Sequence, residues 1–169
     1  LGRRSRRDPR LPSVTPSPLS LARLARDFPV LAESLKGVER AAATDAPVLI
    51  LGEPGTGRST VARAIHGASP RAAGPLVEVD VGAVPSTLIE SELFGYRAGA
   101  FTGAGQSNEG RAGRAEGGTL VLDHVEELPL ATQPKLLRLV AERRYAPLGD
   151  GERTADLRFL AIGSEDLPV

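Results

Sequence analysis

One stretch of the chain holds the residue types and spacing needed to grip a phosphate. Gly52-Glu53-Pro54-Gly55-Thr56-Gly57-Arg58-Ser59 follows the apolar run Pro47-Val48-Leu49-Ile50-Leu51 and leads into helical patterning near Ser59 to His66. A glycine-rich loop between a strand and a helix aims successive amide N–H groups at one point. That point is the positive end of the helix dipole, where an anion is held. The spacing is that of GxxxxGK[ST], and Ser59 offers the hydroxyl that suits magnesium. Arg58 stands where lysine is expected. Lysine meets phosphate as a compact point charge, whereas a guanidinium is broad, planar and forked. Arg58 therefore keeps the charge but is expected to crowd the seat of the β- and γ-phosphates. A glycine-rich turn with no ligand is the competing reading.

Two further stretches carry chemistry or contact. Asp123 ends the apolar run Leu120-Val121-Leu122, and an acid at the tip of a buried strand beside a phosphate loop suits a magnesium shell. Glu90 to Ala104 begins as a helix, with Leu88, Ile89, Leu93 and Phe94 spaced to share one apolar face, and then meets Gly95, Gly99 and Gly103. Phe101 lies at the centre of that glycine-hinged loop without hydrophobic neighbours in sequence. It either meets a partner or folds back under the domain.

The elements that must position these residues follow from the hydrophobic pattern. Pro47 to Leu51 is all apolar, as expected of a central parallel strand buried on both faces. Leu76 to Val81, Leu120 to Asp123 and Leu157 to Ile162 are similar strands. Helices are expected from Ser20, from Pro29 through Ala42, near Ser59 to His66, over Pro85 to Phe94 and over Gln133 to Arg144, with Pro134 tolerated in a first turn. Strand and helix in alternation predict a three-layer α/β fold with a mainly parallel sheet. There is no internal repeat and no second domain.

Bulk properties bound the rest. The 169 residues suffice for one core. Lys+Arg and Asp+Glu both number 21, so the whole-chain field gives no pull on nucleic acid. Cysteine is absent, which excludes disulfides and thiolate metal sites and fits a reducing cytoplasm. Aromatics make up 4%, so the core is aliphatic, and no run approaches a membrane span. Arg3, Arg4, Arg6, Arg7 and Arg10 precede a stretch rich in proline, serine and threonine. This reads as an extended basic linker over residues 1–26, with a short helix from Ser20; the alternative is a segment that brushes DNA phosphates. A twin-arginine export signal needs an apolar run to follow, and prolines follow instead.

Glu90-Ser91-Glu92-Leu93-Phe94-Gly95 followed by Gly99-Ala100-Phe101-Thr102-Gly103-Ala104, ESELFG and GAFTGA, resembles the signature of the sigma-54-dependent transcriptional activators, the bacterial enhancer-binding branch of the AAA+ ATPases. The resemblance runs from about Pro29 to Leu167 and assigns residues 27–169 to a partial AAA+ domain, a P-loop NTPase core. It includes Gly117-Gly118-Thr119-Leu120-Val121-Leu122-Asp123, which resembles the Walker B segment, and Gln133 with Lys135-Leu136-Leu137-Arg138. It implies that the Gly99 to Ala104 loop touches the sigma factor of the sigma-54 RNA polymerase holoenzyme. It also implies that Gly52 to Ser59, with Asp123, binds ATP and Mg2+, with Ser59 and Asp123 on the metal. A homo-oligomeric ring of six or seven copies, a cytoplasmic setting without membrane, and DNA binding only through a further domain are implied as well.

The chain departs from the family pattern at the chemistry. His124 stands where the family has the glutamate that polarises the attacking water. Asp80 stands where the family has the asparagine that holds that glutamate in an inactive pose. We expect Asp80 and His124 to hydrogen-bond, with Asp80 raising the imidazole pKa; independent drift at two decayed positions is the alternative. Ser164 replaces the asparagine that senses the γ-phosphate. Ala112 and Gly113 replace a phenylalanine and a glutamate, and Pro147 to Ala155 occupies the second pore loop, one residue short. The family's lid, arginine fingers and helix-turn-helix fall beyond Val169, so this chain is expected to be a fragment and a poor ATPase, since such fingers supply roughly 10³- to 10⁵-fold in rate. Two functions follow: an ATPase core that remodels the polymerase through Phe101 and Thr102, or a non-hydrolysing sigma-binding module.

Overall fold

The computed structural model describes residues 20–164. Residues 1–19, which hold the basic run, lie outside the described residues, and so does the stretch after Ser164. Ser20, the first described residue, is a helix cap, its hydroxyl accepting from the Arg23 amide at 3.2 Å. Helix α1 (Leu21–Asp27) buries Leu21 and Leu24 against the core, so packing begins inside the stretch read as linker. The single helix expected from Pro29 to Ala42 is instead two, α2 (Pro29–Ser34) and α3 (Val38–Ala42). Gly37, at φ 84°, separates them with a turn that side-chain-bearing residues seldom adopt.

The remaining elements alternate as expected. Strand β1 (Val48–Leu51) leads to helix α4 (Arg58–Gly67), β2 (Leu76–Asp80), α5 (Ile89–Phe94), α6 (Gly110–Arg114), β3 (Thr119–Asp123) and α7 (Gln133–Glu142). A two-residue hairpin, β4 (Arg144–Tyr145) with β5 (Arg153–Thr154), precedes β6 (Arg158–Gly163). Several boundaries move from the expected ones. The β2 strand stops at Asp80, because its carboxylate caps a 3₁₀ turn over Val81–Ala83 through the Gly82 amide. Helix α5 starts at Ile89, four residues late, after a turn in which the Leu88 amide reaches the Pro85 carbonyl. Helix α7 ends at Glu142, because Arg143 turns left-handed at φ 57°.

The main sheet has the order β1-β6-β3-β2 with every pairing parallel, so β6 lies between the strand feeding the glycine-rich loop and the strand ending in Asp123. Alternate residues feed two cores. Leu120, Leu122 and Phe159 pack beneath α5 and α7, while Val121, Leu160 and Ile162 pack beneath α1 and α4. This is the three-layer arrangement that the alternation implied.

One expectation about the sheet is corrected. Strand β1 is not central among the described residues but forms the sheet edge. Val48 and Ile50 pack on the α1/α4 side, and Leu49 and Leu51 on the opposite face are 54% and 43% exposed. An all-apolar run reports what could be covered, and here the described elements cover only one face. Arg158, by contrast, is wholly buried within β6. Its Nη1 and Nη2 donate to the carbonyls of Ala42 and Ala41 at 2.8 and 2.7 Å, fastening the end of α3 to the sheet.

Candidate phosphate site and presented loop

The glycine-rich loop sits at the C-terminal edge of β1 and opens α4, with Gly55 and Gly57 at φ 82° and 89°. A Cβ at either position would meet open space, so it is the left-handed backbone rather than close packing that calls for glycine there. Thr56 folds inward, its hydroxyl donating to the Glu53 carbonyl at 2.7 Å. Ser59, on the first turn of α4, donates through Oγ to Asp123 Oδ2 at 3.2 Å. A hydroxyl and a carboxylate from different elements thus meet at one point, and both are hard oxygen donors of the kind magnesium prefers. The chemistry of this pair fits the metal, and the loop fits a polyphosphate.

Arg58 does not crowd that seat. Arg58 is 9% exposed and packs against the start of the loop, with Nη1 donating to the carbonyls of Gly52 at 2.9 Å and Gly163 at 2.7 Å. A guanidinium carries enough donors to join two carbonyls, which a lysine placed to meet phosphate would not do. The expected steric clash is therefore replaced by a missing cation.

Strand register explains the next pair. Asp80 is the partner of Asp123 across β2 and β3. His124 follows Asp123 in the left-handed region, at φ 55°, and its amide donates to Asp123 Oδ1 at 2.9 Å. That bend returns the imidazole to the neighbouring strand, where Nδ1 lies 2.9 Å from Asp80 Oδ1. The hydrogen bond expected between Asp80 and His124 is present. It holds the imidazole pKa above its ordinary value, chiefly through the Asp80 bond, against the opposing effect of burial and with a further pull from Asp123.

Asp80, Asp123 and Ser59 line one cleft of about 250 Å³ with two residues that the motifs did not single out, Arg63 and Glu78. These two form a forked ion pair, Arg63 Nη2 to Glu78 Oε2 at 2.9 Å and Nε to Oε1 at 3.0 Å. Their positions were legible: Arg63 lies four residues beyond Ser59 on the helix, and Glu78 lies two residues before Asp80 on the strand. Ser164 follows Gly163 at the same sheet end, half-buried.

The Gly99 to Ala104 stretch, after α5 in the chain, forms a closed loop. The Gly99 amide donates to the Ala104 carbonyl at 2.8 Å and the Ala104 amide to the Phe101 carbonyl at 3.0 Å. Gly99 and Gly103, at φ 81° and 101°, make the reversals. Phe101, Thr102, Gly99 and Gly103 are exposed and Ala100 is half-buried, while Ala104 is buried at the foot of the loop. Phe101 is not without a neighbour: its ring meets that of Tyr96 edge-on, with centroids 4.9 Å apart. Residues before the loop are tied to the β4–β5 hairpin, where the Arg97 amide donates to Leu148 and the Leu148 amide to Gly95.

A parallel sheet carrying a phosphate loop after β1 and an acid at the tip of β3 defines a P-loop NTPase core. The profile of the family described as Sigma-54 interaction domain matches residues 24–169, and the chain belongs to that family. It is similar to the alginate biosynthesis transcriptional regulatory protein AlgB of Pseudomonas aeruginosa, 48% identical over 140 residues, which cover 82% of this chain and 31% of that protein. It is similar also to the DNA-binding transcriptional activator HyfR of Escherichia coli, 50% identical over 135 residues, covering 79% of this chain and 20% of that protein. The chain thus spans a third or less of these relatives. NtrX from Brucella abortus, solved in complex with ATP, matches with a TM-score of 0.72 at 32% identity, over 81% of this chain and 29% of that one. The P-loop NTPase domain of the sigma-54 transport activator from E. coli shares the fold at a TM-score of 0.53 and 24% identity, over 80% of this chain and 75% of that one. No helix among the described residues is long and apolar enough to cross a membrane.

Proposed function

We propose that this chain is the ATP-binding core of a sigma-54-dependent transcriptional regulator, contacting the sigma factor through Gly99 to Ala104 and coupling nucleotide state to activation of RNA polymerase. One observation carries the reading: Phe101 stands 42% exposed on a loop closed on itself, in the same domain as a Ser59–Asp123 pair already at contact distance. The relationship to NtrX, which was solved with ATP, supports nucleotide as the ligand. Amides of Gly55 to Ser59 would hold the phosphates, and Ser59 and Asp123 would hold Mg2+. That ion, when bound, would neutralise phosphate charge. In the longer protein we place this core in a homo-oligomeric ring in the cytoplasm, with DNA bound by a separate domain.

A second reading, a non-hydrolysing sigma-binding module, is favoured by Arg58 and His124. The only cation in the phosphate-loop motif is committed to two carbonyls. The residue in the base position is an imidazole whose pKa Asp80 raises; only its neutral form takes a proton from water, so the bond narrows the pH range over which His124 could act. Titration calorimetry with ATP, with and without magnesium, tests nucleotide binding directly. Magnesium-dependent heat in the micromolar range supports a working site. Silence at millimolar ATP removes nucleotide from the function. A double Arg58→Lys, His124→Glu variant in the longer protein then separates the two readings: hydrolysis confined to the variant identifies the native protein as a binder.

A further inference from the structure

We propose that Tyr96 is the positioning residue for Phe101, presetting the ring that the loop offers to its partner. The inference rests on the reading of Gly99 to Ala104 as the sigma-contacting loop, and it assigns a role to a residue outside that hexapeptide.

Tyr96 is fixed from both sides. Its amide donates to the Asn108 carbonyl at 2.9 Å and its carbonyl accepts from the Asn108 amide at 2.8 Å. On its other flank it bridges Leu148, through the Leu148 amide to Gly95 at 3.0 Å and the Arg97 amide to Leu148 at 2.9 Å. The backbone of Tyr96 is thus a post set between the returning arm of the loop and the β4–β5 hairpin. Five residues on, the loop reverses at glycines and presents Phe101. A side chain on such a tip would sample several rotamers in water, and binding would then have to order it. The Tyr96 ring removes that freedom. It meets Phe101 at 63° between planes and 4.9 Å between centroids, the edge-to-face geometry that aromatic quadrupoles favour. Tyr96 is half-buried and Phe101 keeps its outer face open, so the pair orients the ring without hiding it.

A preset ring gives a definite expectation. Labelled sigma-54 titrated with the chain by fluorescence anisotropy should bind Tyr96→Ala about three- to tenfold more weakly than the native chain, the range an aromatic pair represents. Tyr96→Phe should bind as the native chain does, and Phe101→Ala should lose binding. Tyr96→Ala added to Phe101→Ala should cost nothing more, since a positioning residue acts only through the residue it positions. Proton NMR of the free chain gives a second readout: the Phe101 ring resonances should move in Tyr96→Ala and stay in Tyr96→Phe. If Tyr96→Ala disturbs folding, Tyr96→Leu keeps the bulk without the ring and should reproduce its effects.

Other results overturn the inference. Native affinity in Tyr96→Ala, with binding lost in Phe101→Ala, rejects it and leaves the sigma reading standing. Tighter binding in Tyr96→Ala means that the pair competes with the partner. An additive double variant makes Tyr96 a contact in its own right. Unmoved Phe101 resonances deny the pairing itself. Native affinity in Phe101→Ala, or no binding by any form, removes the sigma reading and this inference with it.

Discussion

Arg58 Nη1 donates to the Gly163 carbonyl at 2.7 Å, so the residue placed by sequence to face a phosphate instead fastens the end of β1 to the end of β6. The same nitrogen reaches the Gly52 carbonyl. The loop is therefore braced by its own cation. A nucleotide bound there would lack the compensating charge of a lysine.

Replacing Arg58 by lysine should reverse that balance. One nitrogen of Arg58, Nη1, serves both carbonyls, and a lysine ammonium drawn to phosphate leaves them, so the brace weakens and a point charge becomes available at the seat. We expect ATP affinity to rise by about tenfold or more, as a charge-assisted contact implies. Folding stability should fall by about 1–3 kcal/mol, the range for hydrogen bonds to a charged group with a buried partner. Calorimetry and urea unfolding on the same preparation check both. Unchanged affinity with reduced stability would make Arg58 purely structural.

Ser59 and Asp123 should matter only when magnesium is present. Asp123→Asn and Ser59→Ala each remove one oxygen donor from the pair at 3.2 Å. In magnesium buffer both should weaken ATP binding, Asp123→Asn the more because it removes charge. In a chelator, Asp123→Asn should bind ATP as well as the native chain or better, because a carboxylate facing phosphate is repulsive. A loss of equal size in both buffers would mean that the pair supports the loop rather than a metal.

Much of this was legible in the sequence because periodicity survives packing. The four main strands and α4 follow from apolar spacing, and the strand-to-glycine junction points to the phosphate loop. What was not legible depends on neighbours distant in sequence. The apolar run of β1 gave no sign that it would lie at an edge, since Val48-Leu49-Ile50-Leu51 reads identically with one face covered or two. The direction of Arg58 depends on Gly163, more than a hundred residues away. The Tyr96–Phe101 pair was hidden because a ring five residues from another is usually out of reach, until glycines fold the tip back. Asp80 and His124 were paired correctly from resemblance, and register across β2 and β3 supplies the physical reason.

The two histidines should titrate on opposite sides of the ordinary value of about 6.5. Asp80 raises His124, while burial, aided by the Arg158 charge, lowers His66, whose Nδ1 shares a hydrogen bond with Thr119 Oγ1 at 2.9 Å. The signs for stability follow. The His124 contribution is complete below the unfolded pKa and is lost as pH rises through the raised folded value. The His66 contribution is complete above the unfolded pKa and is lost as pH falls through the depressed folded value. NMR of the imidazole protons in magnesium-free buffer should show one resonance titrating above and one below the ordinary value. Asp80→Asn should bring the upper one down and leave the lower one in place. A His124 titration indifferent to Asp80→Asn would reject the pairing.

Gly149 gives a way to disturb the presented loop from the hairpin without substituting any residue of Gly99 to Ala104. It lies in the turn of the β4–β5 hairpin at φ 71°, and a Cβ built there would come within 2.9 Å of the Ala100 Cβ. Gly149→Ala therefore carries two penalties: a left-handed backbone that alanine resists, and a contact that pushes Ala100 outward. Together these should destabilise the fold by about 1–3 kcal/mol. The damage should concentrate where the hairpin meets the loop, at the Arg97 and Leu148 amides. Hydrogen exchange should show those two amides, with Gly99 and Ala104, losing protection first, while Leu120 to Leu122 in β3 stay protected. Uniform loss across β3 would mean that Gly149→Ala weakens the whole domain. Unchanged exchange at Arg97 and Leu148 would show that the hairpin does not brace the loop.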